Sequence, residues 1–147
     1  MLFRSRILLD TNILISALLT KHTPPYSLYQ SWIKGQFQLL TSHSQINELK
    51  RVLQYERIQR FVNPSEAQKL VDAIQSEAVF IHIFNEVHFS TDPSDNVILS
   101  AAIAGKADYI VTGDKKDLLL LQCVENIPIV TSREAVDTLT QSDVEKI

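Results

Sequence analysis

Five short apolar runs, at residues 7–9, 37–40, 79–84, 109–111 and 127–130, are bounded by polar residues and separated by stretches with helical spacing. Runs this short and continuous suit strands buried on both faces. Strands alternating with helices suit a parallel sheet covered by helices on both sides, so the chain is held to an α/β class. Of 147 residues 45% are apolar, enough for the core of one domain, and no linker, repeat or low-complexity stretch divides them. The expectation is a single domain over residues 1–147.

The helical pattern covers residues 13–19 and 26–34, the latter opened by Pro24-Pro25, with Pro25 in the first turn and Gly35 as a left-handed cap. Ser42-His43-Ser44-Gln45 reads as a capping box for a helix reaching about Tyr55. Asn63-Pro64 starts another over residues 65–76, and residues 93–104 form one stopped by Gly105. Residues 115–121 and 133–140 complete the set.

In open α/β sheets, sites form beyond the carboxyl ends of the strands. Asp10 ends the first run, Asp92 and Asp95 lie on the segment leaving the third, and Asp114 and Asp117 follow the fourth. Carboxylates distant in sequence are thus expected at one sheet edge. Such a set suits Mg²⁺ or Mn²⁺, hard cations that take oxygen ligands. Each acid also has an ordinary role open to it. Asp10, Thr11 or Asn12 could cap the helix over residues 13–19, while Asp92-x-x-Asp95 and Asp114-x-x-Asp117 each resemble a capping box. What favours a site is that all three positions fall at the same kind of strand end. Glu48 lies at the border of the apolar stripe formed by Ile46, Leu49, Val52 and Leu53. Spacing alone favours a solvated side chain there, although a border position could reach the sheet edge. Asn12 could orient Asp10 or a phosphate.

Composition removes several other chemistries. Three glycines, Gly35, Gly105 and Gly113, leave no dinucleotide fingerprint and no P-loop. Cys123 is the only cysteine, so no internal disulfide or cysteine-based zinc site can form, and it reads as a small apolar residue near a helix end. His22, His43, His82 and His88 lack zinc spacing, with His82 read as part of a strand. No G-x-S-x-G elbow supports an esterase. Tyr29 and Trp32, three apart, read as helix packing. No apolar run spans a bilayer and no leader pattern is evident, so a soluble, cytoplasmic protein is expected.

The net charge of −3 by itself argues against a nucleic-acid partner. Setting aside the six acids Asp10, Glu48, Asp92, Asp95, Asp114 and Asp117 turns it into +3 for the remainder. An acidic pocket filled by cations in a mildly basic surround is compatible with a phosphodiester. Candidate phosphate contacts are Arg4, Arg6, Lys50, Arg51, Arg57, Arg60, Lys115 and Lys116, most of them read as ordinary solvated charges.

Together these segments resemble the PIN-domain nucleases, and more narrowly the PIN-family toxins of bacterial and archaeal toxin–antitoxin systems. The likeness rests on Leu8-Leu9-Asp10-Thr11-Asn12-Ile13, on Ser42-His43-Ser44-Gln45-Ile46-Asn47-Glu48-Leu49, on Asp92-Pro93-Ser94-Asp95-Asn96, and on Asp108-Tyr109-Ile110-Val111-Thr112-Gly113-Asp114-Lys115-Lys116-Asp117, in that order and at domain-like spacing. The resemblance implies a Rossmann-like three-layer α/β/α fold with a central parallel sheet. It implies catalytic acids at Asp10, Glu48, Asp95 and Asp114, metal ligands at Asp10, Asp95, Asp114 and the more variable Asp117, and supporting roles for Asn12, Asp92 and Thr112. It further implies Mg²⁺ or Mn²⁺, a single-stranded RNA substrate, a cognate antitoxin and a homodimer. The alternatives left open are a nucleic-acid-binding PIN module without turnover, a phosphohydrolase or receiver domain, and a structural partner-binding domain whose Asp pairs serve only as caps. The phosphohydrolase is disfavoured because Asn12 stands where haloacid-dehalogenase-type phosphatases carry a second Asp.

Overall fold

The computed structural model describes residues 4–90, 92–113 and 118–145. In chain order the elements are β1 (Arg6–Leu9), α1 (Thr11–Leu19), α2 (Pro24–Ile33), β2 (Gln38–Thr41), α3 (His43–Leu53), α4 (Glu56–Gln59) and α5 (Pro64–Glu77). They continue with β3 (Val79–Phe80), α6 (Pro93–Ala104), β4 (Tyr109–Val111), α7 (Leu118–Leu121), β5 (Cys123–Val124), β6 (Ile127–Val130) and α8 (Ser132–Glu145). The strands lie side by side in the order β3-β2-β1-β4-β6-β5, and every pairing is parallel except that of β5 with β6.

Strand alternation splits the core into two layers. Ile7, Leu9, Leu39 and Val111 point to one face and pack with α1, α2, α3, α5 and α8. Leu8, Leu40, Ile110 and Ile129 point to the other, against α6 and α7. Both layers are dry at the central strands, where Ile7, Leu8, Leu40, Ile110 and Val111 are fully buried. Burial of each such side chain contributes about 1.5–3 kcal/mol. Among the described residues no helix is long and apolar enough to cross a membrane. Trp32 is buried with its ring 6.3 Å from that of Tyr29, as helix packing requires.

Three elements depart from expectation. The third strand stops at Phe80 instead of residue 84, because its one neighbour, β2, ends at Thr41 in register with Phe80. Ile81 donates one more bond to the Thr41 carbonyl, and beyond it His82 and Phe84 are exposed. The four-residue helix α4 was not foreseen. Nor was β5, which makes a two-residue hairpin with β6 through Glu125 (φ 45) and Asn126 (φ 69). That turn needs positive φ at both positions, usually supplied by Asn-Gly, so Glu-Asn gave little warning. Cys123 lies exposed on this edge strand, two residues beyond the end of α7, so it is near a helix end as expected but not buried.

Gly35 takes the left-handed conformation expected of it (φ 79). Gly105 stops α6 as expected, in the right-handed region (φ −85), and the left-handed residue after it is Lys106 (φ 52). The Ala107 N–H donates to the Ala102 carbonyl at 2.9 Å, closing a Schellman-type end. Gly105 is needed for space, since a Cβ there would stand 2.8 Å from Ile81 Cδ1 and 3.0 Å from the Ala101 carbonyl oxygen. Two substitutions therefore act in opposite directions. Lys106→Gly should stabilise the fold by about 1 kcal/mol by relieving left-handed strain. Gly105→Ala should cost about 1–3 kcal/mol by overpacking. Urea denaturation of both variants checks this, and a Gly105→Ala protein as stable as wild type would contradict the close approach.

Candidate active site

β1 lies at the point where the chain order reverses. From it the chain builds β2 and β3 on one side, then crosses to β4 and β6 on the other. The register pairs Leu9 with Val111, so the residues leaving the two carboxyl ends are Asp10 and Thr112. The Asp10 N–H donates to the Val111 carbonyl at 2.9 Å, which extends the ladder one step. The Thr112 N–H donates to the Val130 carbonyl at 3.0 Å. With its backbone fixed and its side chain wholly buried, Thr112 donates its hydroxyl to Asp10 Oδ2 at 2.8 Å. A hydroxyl donating to an ionised carboxylate makes a strong, orienting bond.

Asp10 occupies the N-cap position of α1, yet its side chain makes no cap hydrogen bond. The first turn is closed by its backbone carbonyl, which accepts from the Ile13 N–H. The capping role that sequence left open for Asp10 is therefore not the one its carboxylate performs. Asn12 sits exposed in the same turn.

At the start of α6 the two aspartates separate into different roles. Asp92 is exposed and caps the helix, its Oδ1 accepting from the Ser94 N–H at 3.0 Å and the Ser94 hydroxyl at 2.8 Å. Asp95 is only 7% exposed. It does not complete a capping box, because the Asp92 N–H donates to Ser90 Oγ instead. Ser90 Oγ donates in turn to Asp95 Oδ2 at 3.3 Å. Buried Asn96 clamps Ser90 on both sides, accepting from its N–H at 2.8 Å and donating to its carbonyl at 2.9 Å.

α3 contributes Glu48, half-buried at the edge of the apolar stripe, where it lines a groove together with Pro93 and Ser94 at the start of α6. One turn earlier, Gln45 is 3% exposed. Its backbone N–H donates to Ser42 Oγ, which is half of the expected capping box. The reciprocal half is missing, because the Gln45 amide donates to the Leu9 carbonyl and accepts from the Thr41 hydroxyl. Gln45 thus ties the helix bearing Glu48 to the residue before Asp10. Sequence reading assigned no site role to Gln45, Ser90 or Asn96. The available signal was the presence of amides and hydroxyls at positions where α3 and α6 face the core.

Asp114 and Asp117, with Lys115 and Lys116, lie outside the described residues. Among the described residues no three His, Cys, Asp or Glu side chains stand together as a metal-holding group. Asp10 with Thr112 at the strand ends, Asp95 with Ser90 at the start of α6, and Glu48 on α3 offer only oxygen donors, which fits a hard cation in kind. Of the candidate phosphate contacts, Arg6 is committed to structure at the opposite sheet edge, donating to the Gly105 carbonyl and to Gln38 Oε1. Arg4 also lies there, beside Gly35. Arg60 pairs with Glu56 on the surface, and Arg57 stacks over Tyr55. Lys50 lines a separate cleft with α4 and α5, so Arg51 is the described basic residue that shares the Glu48 groove.

The family model described as the PIN domain matches residues 6–116. An uncharacterised protein of Methanocaldococcus jannaschii is 27% identical over 118 residues, covering 80% of this chain and 75% of that one. Among solved structures, a chain in the crystal structure of VapBC2 from Rickettsia felis, bound to a DNA fragment from their promoter, superposes with a TM-score of 0.55 at 17% identity. That match covers 86% of this chain and 98% of the other, and it shows a shared fold.

The Gln45 bridge can be tested on stability alone. Gln45→Leu removes the partners of a buried carbonyl and a buried hydroxyl, and should cost about 1–3 kcal/mol in urea denaturation. A cost near zero would mean that Leu9 and Thr41 find water instead.

Proposed function

The chain belongs to the PIN-domain family, and from that premise we propose that it is a Mg²⁺- or Mn²⁺-dependent endoribonuclease cutting single-stranded RNA, the toxin of a toxin–antitoxin pair. The observation that carries this reading is the Asp10 carboxylate. It is withheld from the cap of its own helix and held by buried Thr112 at the strand ends, on the same edge from which α6 presents buried Asp95.

Asp10, Asp95 and Asp114 would hold the cation, with Asp117 as an additional acid. A bound divalent cation supplies Lewis acidity, acidifying water and offsetting charge on the phosphodiester. The remaining work falls to the chain's own groups. Glu48 orients the attacking water or joins the ligands. Thr112 fixes the rotamer of Asp10, and Asn12 contacts either Asp10 or a phosphate. Asp92, by capping α6, holds the turn that presents Asp95. An antitoxin partner and a homodimer belong to the same reading. The exposed side chains of Phe61, Phe84, Phe89 and Leu120 supply apolar surface of the kind such contacts use.

The deciding experiment is cleavage of a fluorogenic single-stranded RNA by wild type and Asp10→Asn, with Mn²⁺, Mg²⁺ or EDTA. Metal-dependent cleavage is expected, reduced at least about 100-fold in Asp10→Asn and Asp95→Asn. Asp92→Ala should cost about 1 kcal/mol of stability through the lost cap, while metal-dependent cleavage survives. Absence of cleavage by folded wild type would favour a binding module without turnover.

Metal should also act on the fold itself. A cation that binds only the native state, at about 100 times its Kd, adds roughly 2.7 kcal/mol of stability. Thermal unfolding in millimolar Mn²⁺ should therefore shift upward in wild type and much less in Asp10→Asn. Thr112→Val should lower metal affinity and the rate by about 10–100-fold, which reduces the shift by roughly half or more, with Thr112→Ser restoring both. Melting that is indifferent to both metals would contradict the cation site.

A further inference from the structure

Beside Glu48, a groove of about 250 Å³ runs between α3 and α6. Its lining includes the apolar Pro93, Val97 and Ile98 and the exposed polar Asn47, Arg51 and Glu86. We propose that this groove receives one nucleobase of the RNA strand next to the scissile phosphate, and that Glu86 selects bases bearing an exocyclic amino group. The proposal rests on the nuclease reading above and extends it to substrate choice.

Three observations carry it. The first is that the third wall is built in place. Buried Ser100 of α6 accepts the Val87 N–H at 2.8 Å, and buried Asn96 clamps Ser90 with two bonds. The segment carrying Glu86 is therefore held against α6 by side chains that would otherwise have no reason to be polar in a helix packed into the core. The second is the size of the groove. It falls below the roughly 300–1,000 Å³ of pockets that enclose drug-sized ligands, and so suits a single planar ring. The third is charge. Among the described residues the charged groups lining the groove are Glu48, Arg51 and Glu86, two acids against one base. A phosphate is disfavoured there, while the neutral part of a nucleotide is not.

Single-stranded RNA is read by splaying a base from the strand, covering its face and hydrogen-bonding its edge. The apolar lining and the Arg51 guanidinium cover the ring, as guanidinium planes do. An ionised carboxylate only accepts hydrogen bonds. Glu86 therefore matches the amino groups of adenine, cytosine and guanine, whereas uracil offers it one N3–H flanked by two carbonyl oxygens that repel the carboxylate.

The test uses a single-stranded RNA with one position varied among the four bases, incubated with full-length protein. Binding is read by anisotropy in EDTA, and cutting is read with Mn²⁺. Wild type should prefer an amino-bearing base over uracil by about tenfold, in line with one well-made edge contact. Glu86→Gln should flatten that preference to within about twofold. Arg51→Ala should weaken binding to all four alike. A wild type that cuts without base preference at any position, or a preference that survives Glu86→Gln, overturns the groove and leaves the nuclease standing. Base-selective binding lost in Glu86→Gln, without cutting, supports the groove and overturns the nuclease. Neither binding nor cutting overturns both.

Discussion

The parallel pairing of β1 with β4 is the constraint on which the candidate site depends. These strands are neighbours in space but about a hundred residues apart in sequence, and their register places Asp10 beside Thr112. A one-residue slip would turn Leu8 toward the layer filled by Ile7 and Leu9, exchanging the two buried faces. The hydrophobic packing that stabilises the fold therefore also specifies which hydroxyl meets which carboxylate. Gln45 adds a second tie at the same point, binding α3 to the last residue of β1 through the Leu9 carbonyl.

Helix α6 shows how polar groups are used inside this core. It is apolar almost throughout, yet Asp95, Asn96 and Ser100 are among its buried residues. Burying such groups without partners would cost about 1–3 kcal/mol each. Asn96 and Ser100 offset that cost by binding the backbone of the segment that precedes the helix, at Ser90 and Val87. The segment beyond β3 has lost its strand partner, and these bonds replace the ladder. Their result is a fixed approach to Asp95 and a fixed wall for the groove, so one helix serves the core and the site together.

The strand ends were legible in the sequence because buried parallel strands are continuous apolar runs, and the acids stand directly after them. Tyr109–Val111 and Ile127–Val130 coincide with the expected runs, as does Pro93–Ala104 with the expected helix. The roles of the individual acids were not legible. Asp92 and Asp95 share one motif that is read equally well as a cap or a ligand pair, and only burial separates them. Gly105 and Lys106 make the same point for the backbone. A glycine after a helix suggests a left-handed cap, but the reason for this one is the approach of Ile81 from a distant segment. Gln45 escaped notice because its amide works across the fold, where local spacing carries no signal.

Charge sets how such a site could hold a polyanion. Proteins that bind nucleic acid through many Lys and Arg contacts release counterions and weaken steeply as salt rises. Here Arg4 and Arg6 lie at the opposite sheet edge, with Arg6 committed to Gly105 and Gln38, and Arg60 is paired with Glu56. Arg51 is the described cation in the groove beside Glu48, and the whole chain carries −3. Among the described residues, a strand held here would meet few direct cationic contacts. On the proposed reading, a divalent cation held by the carboxylates would supply positive charge, and the apolar groove would supply contact that monovalent salt does not screen. On that reading, the acidity that argues against nucleic acid when the chain is taken as a whole would become, at one sheet edge, the means of coupling substrate to metal.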